Sequence, residues 1–441
     1  MSRLVLTSEL LTRLRKDLLK DENETCAILF GRSVETNKKL SRIVIREALT
    51  PPIKLYEERT TVSAQLRPEI VSEVAQRARK TGESITFVHT HPFSLNHFSA
   101  TDDAGETELS YFLAGRAPHA RHAAMLITPE VAIARELGKK NPLRVLGIGP
   151  QITFGETGLE KEKDPRYDRQ IRAFGALGQQ TLKSIRVGIV GLGGTGSVVL
   201  QSLLHLGVQD FLLIDPDTIE ETNLNRLVGA TPEDVGRFKA DVAASWGKKL
   251  NSTANIETQR DSILKEAVVK LLADTDFVFC CTDSHGSRAV LNQFSYQYLV
   301  PCIDMGVAIS AQKGLVTDIV GRTQLFAPGL ACMVCGNLLD SEEIRRDLLT
   351  DFERQMDPYI IGDTEPAPSV ISLNSTIASL AVTMFLNTVI GVPGTPRFLN
   401  YNAIKGICRP ALCTPHPTCI VCSPSGAICR ANEWPLPARQ D

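Results

Sequence analysis

The stretch Ser184-Ile-Arg-Val-Gly-Ile-Val190 runs directly into Gly191-Leu-Gly193-Gly194-Thr-Gly196, and Thr195 to Leu206 continues with helical spacing. An apolar strand, a glycine turn and a helix start make a phosphate cradle. The glycines let the backbone approach an anion, and the helix N-terminus favours its charge. The next apolar run, Phe211-Leu-Leu-Ile214, ends in Asp215, a carboxylate placed to bond a ribose hydroxyl. Phe277-Val-Phe-Cys-Cys281 is a further buried strand. Strands alternating with helices predict a doubly wound parallel sheet of the Rossmann type, an α/β fold. The glycine pattern by itself fits a dehydrogenase nearly as well as an ATP enzyme.

The residues that follow separate the two. Glu221-Thr-Asn223-Leu-Asn225-Arg226 comes after the ribose strand, Gly236-Arg-Phe-Lys239 adds a second cation, and Thr282-Asp283 ends a later strand. Hydride transfer needs no such set around the phosphates. Adenylation does: a triphosphate must be neutralised, Mg²⁺ held, and a carboxylate brought to the α-phosphorus, so that positioning and charge supply nearly all of the catalysis.

Upstream, the charged connector Gly158-Leu-Glu-Lys-Glu-Lys-Asp-Pro165 marks a boundary, giving domains of 1–158 and 159–441. In the first, Ser84-Ile-Thr-Phe-Val88 leads into His89-Thr-His91-Pro92-Phe-Ser-Leu-Asn-His97-Phe-Ser99-Ala-Thr-Asp102. Alternation puts His89 and His91 on one side of an extended chain, and Asp102 can return as a third ligand from a helix start. Three protein ligands leave a zinc position open for water, the catalytic arrangement. Zinc makes hydroxide available near neutral pH, and a carboxylate must shuttle the proton; Glu24 is the candidate. His97, His119 and His122 read as surface or packing histidines.

These residues resemble the JAMM (JAB/MPN) metalloprotease motif: a Glu, then His-x-His, seven residues, Ser, two residues, Asp. The resemblance implies an α+β zinc hydrolase in which His89, His91 and Asp102 bind zinc, Glu24 is the general base and Ser99 stabilises the oxyanion. The family cleaves peptide or isopeptide bonds at ubiquitin-like tails. The second domain resembles the ThiF/MoeB/ubiquitin-activating superfamily from Arg166-Tyr167-Asp168-Arg169-Gln170-Ile171 onward. That resemblance implies nucleotide binding by Gly191, Gly193, Gly194 and Gly196, ribose binding by Asp215, phosphate contacts from Asn223, Arg226 and Lys239, and Mg²⁺ held by Asp283. Arg169 would reach the phosphates of the other protomer of a homodimer.

Of 11 cysteines, only Cys26 precedes Cys280. Cys332-Met-Val-Cys335 and Cys419-Ile-Val-Cys422 are two C-x-x-C knuckles suited to a closed structural zinc site, and the superfamily carries that site in this order. Cys26, Cys280, Cys281 and Cys302 lie in apolar strands, where thiols pack as small hydrophobes. Conjugating members of the superfamily carry a thioester cysteine in a crossover loop, but Gly336 to Asn374, including Ile361-Gly-Asp-Thr-Glu-Pro-Ala-Pro-Ser369, holds none. The acceptor of an adenylate is therefore a partner's thiol, a tail cysteine (Cys408, Cys413 or Cys429), or sulfide.

Composition bounds the rest. The chain has 441 residues, 43% hydrophobic and 22% charged, with net charge −2, which excludes disordered, collagen-like and coiled-coil proteins. The absence of a basic block argues against nucleic acid as a partner. The N-terminus carries charge within its apolar run and reads as no signal peptide. Ser369 to Val392, broken by Asn374, Ser375, Ser379 and Asn387, reads as a buried helix rather than a membrane span. A cytoplasmic location is expected. The leading expectation is a bifunctional enzyme of a bacterial ubiquitin-like modification system, of a kind that resembles phage-defence modules. It would use ATP, Mg²⁺ and two zinc ions to adenylate and to trim the tail of a β-grasp protein, with a conjugating-enzyme partner. The alternative is sulfur-carrier activation for thiamine, molybdopterin or cysteine biosynthesis.

Overall fold

The computed structural model describes residues 1–93, 95–155, 164–312, 314–350, 353, 368–391 and 396–440. The connector residues 158–163 and most of the crossover stretch, 361–367, lie outside them. The chain forms two compact units. One comprises Met1–Leu159 with Gln297–Leu299 and Ala427–Pro435; the other comprises Glu160–Tyr296, Val300–Gly426 and Leu436–Asp441.

The first unit contains β1 (Arg3–Thr7), α1 (Ser8–Leu18), β2 (Cys26–Thr36), β3 (Lys39–Leu49), β4 (Tyr56–Arg59), β5 (Ala64–Leu66), α2 (Pro68–Thr81), β6 (Ser84–Thr90), α3 (Ala100–Arg116), β7 (Ala123–Ile127), β8 (Ala132–Glu136), β9 (Pro142–Ile148) and β10 (Thr153–Phe154). Eight strands form a mixed sheet in the order β1-β3-β2-β6-β7-β8-β9-β10, and β1 also pairs with β9, while β4 and β5 form a separate hairpin. The two faces carry separate apolar clusters. One is built on α1 with Leu29, Ile43 and Met125, the other on α2 and α3 with Ile28, Ile85 and Leu113. Helix α2 starts at Pro68 because Pro suits the first turn, where no amide is needed, and Gly82 closes it at φ 71°.

The second unit contains α4 (Asp168–Ser184), β11 (Arg186–Val190), α5 (Gly194–Leu206), β12 (Asp210–Ile214), α6 (Lys239–Leu250), β13 (Asn255–Gln259), α7 (Glu266–Leu271), β14 (Phe277–Cys280), α8 (His285–Tyr298), β15 (Cys302–Gln312), β16 (Leu315–Phe326), α9 (Ser341–Leu348), α10 (Ile371–Ile390), β17 (Phe398–Asn402) and β18 (Ile407–Pro410). Its sheet runs β13-β12-β11-β14-β15-β16-β17-β18. The pairs from β13 to β15 are parallel, and those from β15 to β18 antiparallel. The order reverses at β11, so the loops after β11 and β14 diverge and leave a crevice at the carboxyl ends of the strands, where ligands bind in such sheets.

The apolar segment expected to be a buried helix is α10. It is long and apolar enough to cross a membrane by length and composition, but it packs against α5, β15 and β16. Asn374, Ile377, Ala381 and Phe385 are among its buried residues.

Candidate functional sites

In the first unit, antiparallel pairing of β2 with β6 sets Cys26 opposite His89 and brings Glu24, two residues before β2, to the ligands. His89 Nε2 lies 3.2 Å from Asp102 Oδ1, and His91 Nε2 lies 3.5 Å from Asp102 Oδ2 and 3.7 Å from Glu24 Oε1. Tetrahedral zinc with bonds near 2.0–2.2 Å needs donor separations of about 3.3–3.6 Å, close to the two histidine–carboxylate distances, so the His₂Asp set fits that ion. His91 Nδ1 is hydrogen-bonded at 2.9 Å to the Leu95 carbonyl, which fixes the ring and leaves Nε2 facing the site.

The Ser-x-x-Asp spacing has a local cause. Ser99 caps α3: the Asp102 amide donates to Ser99 Oγ at 3.2 Å, and the Ser99 amide donates to Asp102 Oδ2 at 2.6 Å, a capping box. The box aims the Asp102 carboxylate, and the Ser99 hydroxyl keeps its proton to donate. Burial opposes ionisation of Asp102, yet hydrogen bonds from His89 and His91 hold it well below the usual carboxylate range. Burial pushes Glu24 above its ordinary value, with the two histidines opposing.

Supporting residues escaped the sequence reading. Thr90 Oγ1 accepts from the Thr25 amide at 2.9 Å and pins the Glu24 segment to β6. Arg135 clasps Glu106 through Nε at 3.0 Å and Nη2 at 2.8 Å, and lies 3.9 Å over the Phe98 ring, which in turn flanks His89 at 5.9 Å. Of the remaining histidines, His122 is a packing residue that accepts from the Ile85 amide at 3.1 Å. His97 and His119 are exposed.

In the second unit the glycine loop sits at the carboxyl end of β11. Gly191 has φ 89°, in the left-handed region, and a Cβ on Gly196 would run into Gly191 O. By contrast, a Cβ on Gly193 would meet nothing within 4 Å: this glycine faces open space at the start of α5. A Cβ on Gly194 would collide with Asn374 of α10 and lie 3.4 Å from Arg226 Cδ, so Arg226 adjoins the loop. Asp215 is 4% exposed. It accepts from the Leu192 amide at 2.6 Å and the Asp217 amide at 2.9 Å, and burial pushes its pKa up. Two carboxylate lone-pair positions stay open for a ribose hydroxyl.

Asn223 is buried in the turn before Arg226, Lys239 opens α6 and pairs with Asp217 at 2.8 Å, and Asp283 is exposed just past β14. Arg169 is exposed in the first turn of α4 and meets none of these residues within this chain's described contacts.

Beyond Asp283 lies a second feature that sequence reading missed. Arg288 donates to the Asp283 carbonyl at 3.2 Å and pairs with Asp304 at 3.1 Å. Asp304 is fully buried and also meets Arg322 at 2.9 Å. Register places Gly306, Arg322, Asn400 and Arg409 in one row across β15–β18. They line a cavity of about 460 Å³ with Arg288 and Lys405. The one sequence cue was an aspartate inside the apolar run Cys302-Ile-Asp304-Met305.

The thiols of Cys332, Cys335, Cys419 and Cys422 converge. Cys332 and Cys335 are 3.8 Å apart, and Cys332–Cys419 and Cys335–Cys422 are each 3.5 Å. Zinc–sulfur bonds of 2.3 Å put tetrahedral sulfurs about 3.8 Å apart, so the four fit a structural zinc. Hydrogen bonding from Cys422, opposed by burial, holds the Cys332 thiol below its ordinary value. Cys26 and Cys280 are buried with thiols pushed up to about 12, and burial raises Cys281 and Cys302 well above their usual values. Among the three tail candidates the structure discriminates. Cys429 is buried and pushed up to about 12, which does not suit an attacking thiol. Cys413 is half-buried and raised, and Cys408 is exposed on β18.

The ThiF family model matches residues 167–421. The chain belongs to the ThiF family. Residues 6–131 match the prokaryotic homologs of the JAB domain, so this ThiF protein is a fusion with an N-terminal JAB domain. Similar proteins include the adenylyltransferase and sulfurtransferase UBA4 of Meyerozyma guilliermondii, 36% identical over 33% of this chain and 35% of that protein. The SAMP-activating enzyme E1 of Haloferax volcanii is 30% identical over 40% and 63%. The molybdopterin-synthase adenylyltransferase of Escherichia coli is 31% identical over 60% of this chain and 98% of that protein. This ThiF chain thus spans about a third of the first of these relatives. Among solved structures, E. coli MccB with ATP is 22% identical over 59% of this chain and 75% of that one, at TM-score 0.47.

Proposed function

We propose that this ThiF–JAB fusion activates the C-terminus of a ubiquitin-like protein with ATP and hydrolyses an amide or isopeptide bond at that same terminus. One observation carries the reading: a single chain holds a His₂Asp set beside Glu24 and a glycine loop flanked by Asp215, Arg226 and Thr282, the residue before Asp283. Both chemistries address the carbonyl end of a tail.

In the adenylation half, the Gly193 backbone and the start of α5 cradle the phosphates while Asp215 holds the ribose. Asn223, Arg226 and Lys239 contact the phosphates, the two cations neutralise them, and Asp283 holds Mg²⁺, which supplies further charge neutralisation when bound. The partner's carboxylate attacks the α-phosphorus and pyrophosphate leaves. The cationic row of Arg322 and Arg409 receives the incoming tail. Arg169 serves a second protomer of a homodimer.

In the hydrolytic half, zinc held by His89, His91 and Asp102 supplies Lewis acidity and an acidified water when bound. Glu24 accepts the proton of the attacking water and passes it to the leaving nitrogen; its carboxylate lies 3.7 Å from His91 Nε2, beside the position such a water would take. The Ser99 hydroxyl donates to the carbonyl oxygen as charge develops there.

A thiolate, either a conjugating-enzyme partner's or that of the exposed Cys408, then attacks the acyl carbonyl of the adenylate, forming a thioester and releasing AMP. A second reading, sulfur-carrier activation, is favoured by the names of the relatives that include sulfurtransferase and molybdopterin-synthase functions. ATP–pyrophosphate exchange that depends on a β-grasp partner tests the shared first step. Mass analysis of that partner then separates the readings: a thiol-sensitive adduct supports conjugation, a terminal thiocarboxylate supports sulfur transfer.

A further inference from the structure

The zinc-ligand end of the first unit opens into a cavity of about 610 Å³ that the ligands do not fill. Glu24, His89, Ser99 and Asp102 line one part of it, and Leu66, Val71, Phe87, Leu109 and Phe112 form an apolar part; Gln65, Ser72 and Glu108 also reach its wall. Those five side chains belong to the apolar cluster of α2, α3 and β6, yet each is only partly buried. The cluster is therefore unclosed on the side that faces the catalytic groups.

The two parts share elements. Phe87 and His89 point to the same face of β6, two residues apart, or about 7 Å. Asp102 and Leu109 stand two helical turns apart on one face of α3, about 10 Å. An apolar floor thus begins about 7 Å from the zinc ligands, a span of about two extended residues. Of the two further acids on the wall, Glu106 is already clasped by Arg135 and Glu108 is exposed on α3.

We propose that this cavity is a specificity subsite for a large apolar side chain, Phe or Leu in class, on a residue flanking the scissile bond. The inference rests on the peptidase reading above and adds which peptide it favours. The occupant follows from continuity with the catalytic groups: whatever places its carbonyl beside His89 and Ser99 must lay an adjacent side chain over Phe87 and Leu109.

The test uses the intact zinc-loaded chain and Gly/Ser decapeptides in which one Phe, or one Ala, is walked through the sequence. Cleavage sites are read by mass spectrometry. Fluorescein-labelled copies are titrated against Glu24→Gln by anisotropy, which reads binding without turnover. The proposal predicts cleavage at a fixed register to Phe, with kcat/KM about 10- to 100-fold above the Ala peptide. It also predicts tighter binding of the Phe peptide, reduced by Leu109→Trp, which fills the floor. Cleavage indifferent to Phe overturns the subsite and leaves the peptidase reading intact. Selective Phe binding without cleavage of any peptide keeps the subsite and removes the peptidase reading. Neither cleavage nor selective binding overturns both.

Discussion

Replacing Arg135 by Met removes its buried pair with Glu106, together with a 2.7 Å contact to the more exposed Asp103, which Lys140 also holds. Arg135 is 9% exposed and Glu106 7%, and their hydrogen bonds run from 2.8 to 3.1 Å. Met keeps an apolar stem over Phe98 but removes the charge. An uncompensated buried charge costs about 3–5 kcal/mol. Glu106 has an escape, since it can bind a proton. At pH 7 that costs about 3.7 kcal/mol, from 1.36 kcal/mol per unit over the gap to an ordinary Glu pKa of 4.3. The loss should therefore be about 3 kcal/mol at pH 7.

Burial already raises Glu106, with Arg135 opposing, so removing Arg135 raises it further. A carboxyl raised in the folded state makes the native protein bind more protons than the unfolded one. Stability then falls as pH rises from the unfolded pKa to the folded one. The Arg135→Met deficit should shrink to about 1 kcal/mol at pH 5. The assay is thermal unfolding of the intact chain at both pH values, with the transition assigned by hydrogen-exchange protection of β6 and α3. Arg135→Met with Glu106→Gln should recover most of the loss. A loss under about 1 kcal/mol at pH 7, or one equal at both pH values, would refute the reasoning.

Three further outcomes are expected. Asp283→Ala should lower partner-dependent ATP–pyrophosphate exchange by about 100-fold, as removal of a transition-state charge partner does; unchanged exchange removes it from the magnesium role. Gly196→Ala places a Cβ against Gly191 O, so titration with ATP should show affinity lowered by at least about tenfold, and unaltered affinity means that the loop tolerates the shift. Cys422→Ser should lower zinc per chain from two to one, since two ligand groups are present, and should lower the unfolding temperature; unchanged metal content excludes it as a ligand.

Motifs with fixed local spacing were legible in the sequence. Ser184–Val190 and the glycine run predict β11 and α5 because strand, turn and helix start are all decided locally. His89, His91 and Asp102 were legible for the same reason, since strand alternation and a capping box fix their directions. The antiparallel tail β17–β18 was not, because Phe398–Asn402 has no clean alternation and its pairing with β16 comes from residues far away in sequence. Asp304 with Arg288 and Arg322, Asn374 against Gly194, and Arg135 over Phe98 are contacts between separated elements, and no short pattern encodes them. Cys429 also shows the limit: its position in a Cys-rich tail suggested reactivity, and only its burial argues otherwise.

The most direct measurement of the central claim uses a β-grasp partner extended by two residues past its terminal glycine. The partner is incubated with the zinc-loaded chain, Mg²⁺ and ATP and followed by intact mass and pyrophosphate exchange. The account predicts loss of the extension followed by exchange with the parent chain, and neither with Glu24→Ala. Exchange by Glu24→Ala on the uncut partner at the parent rate would contradict it.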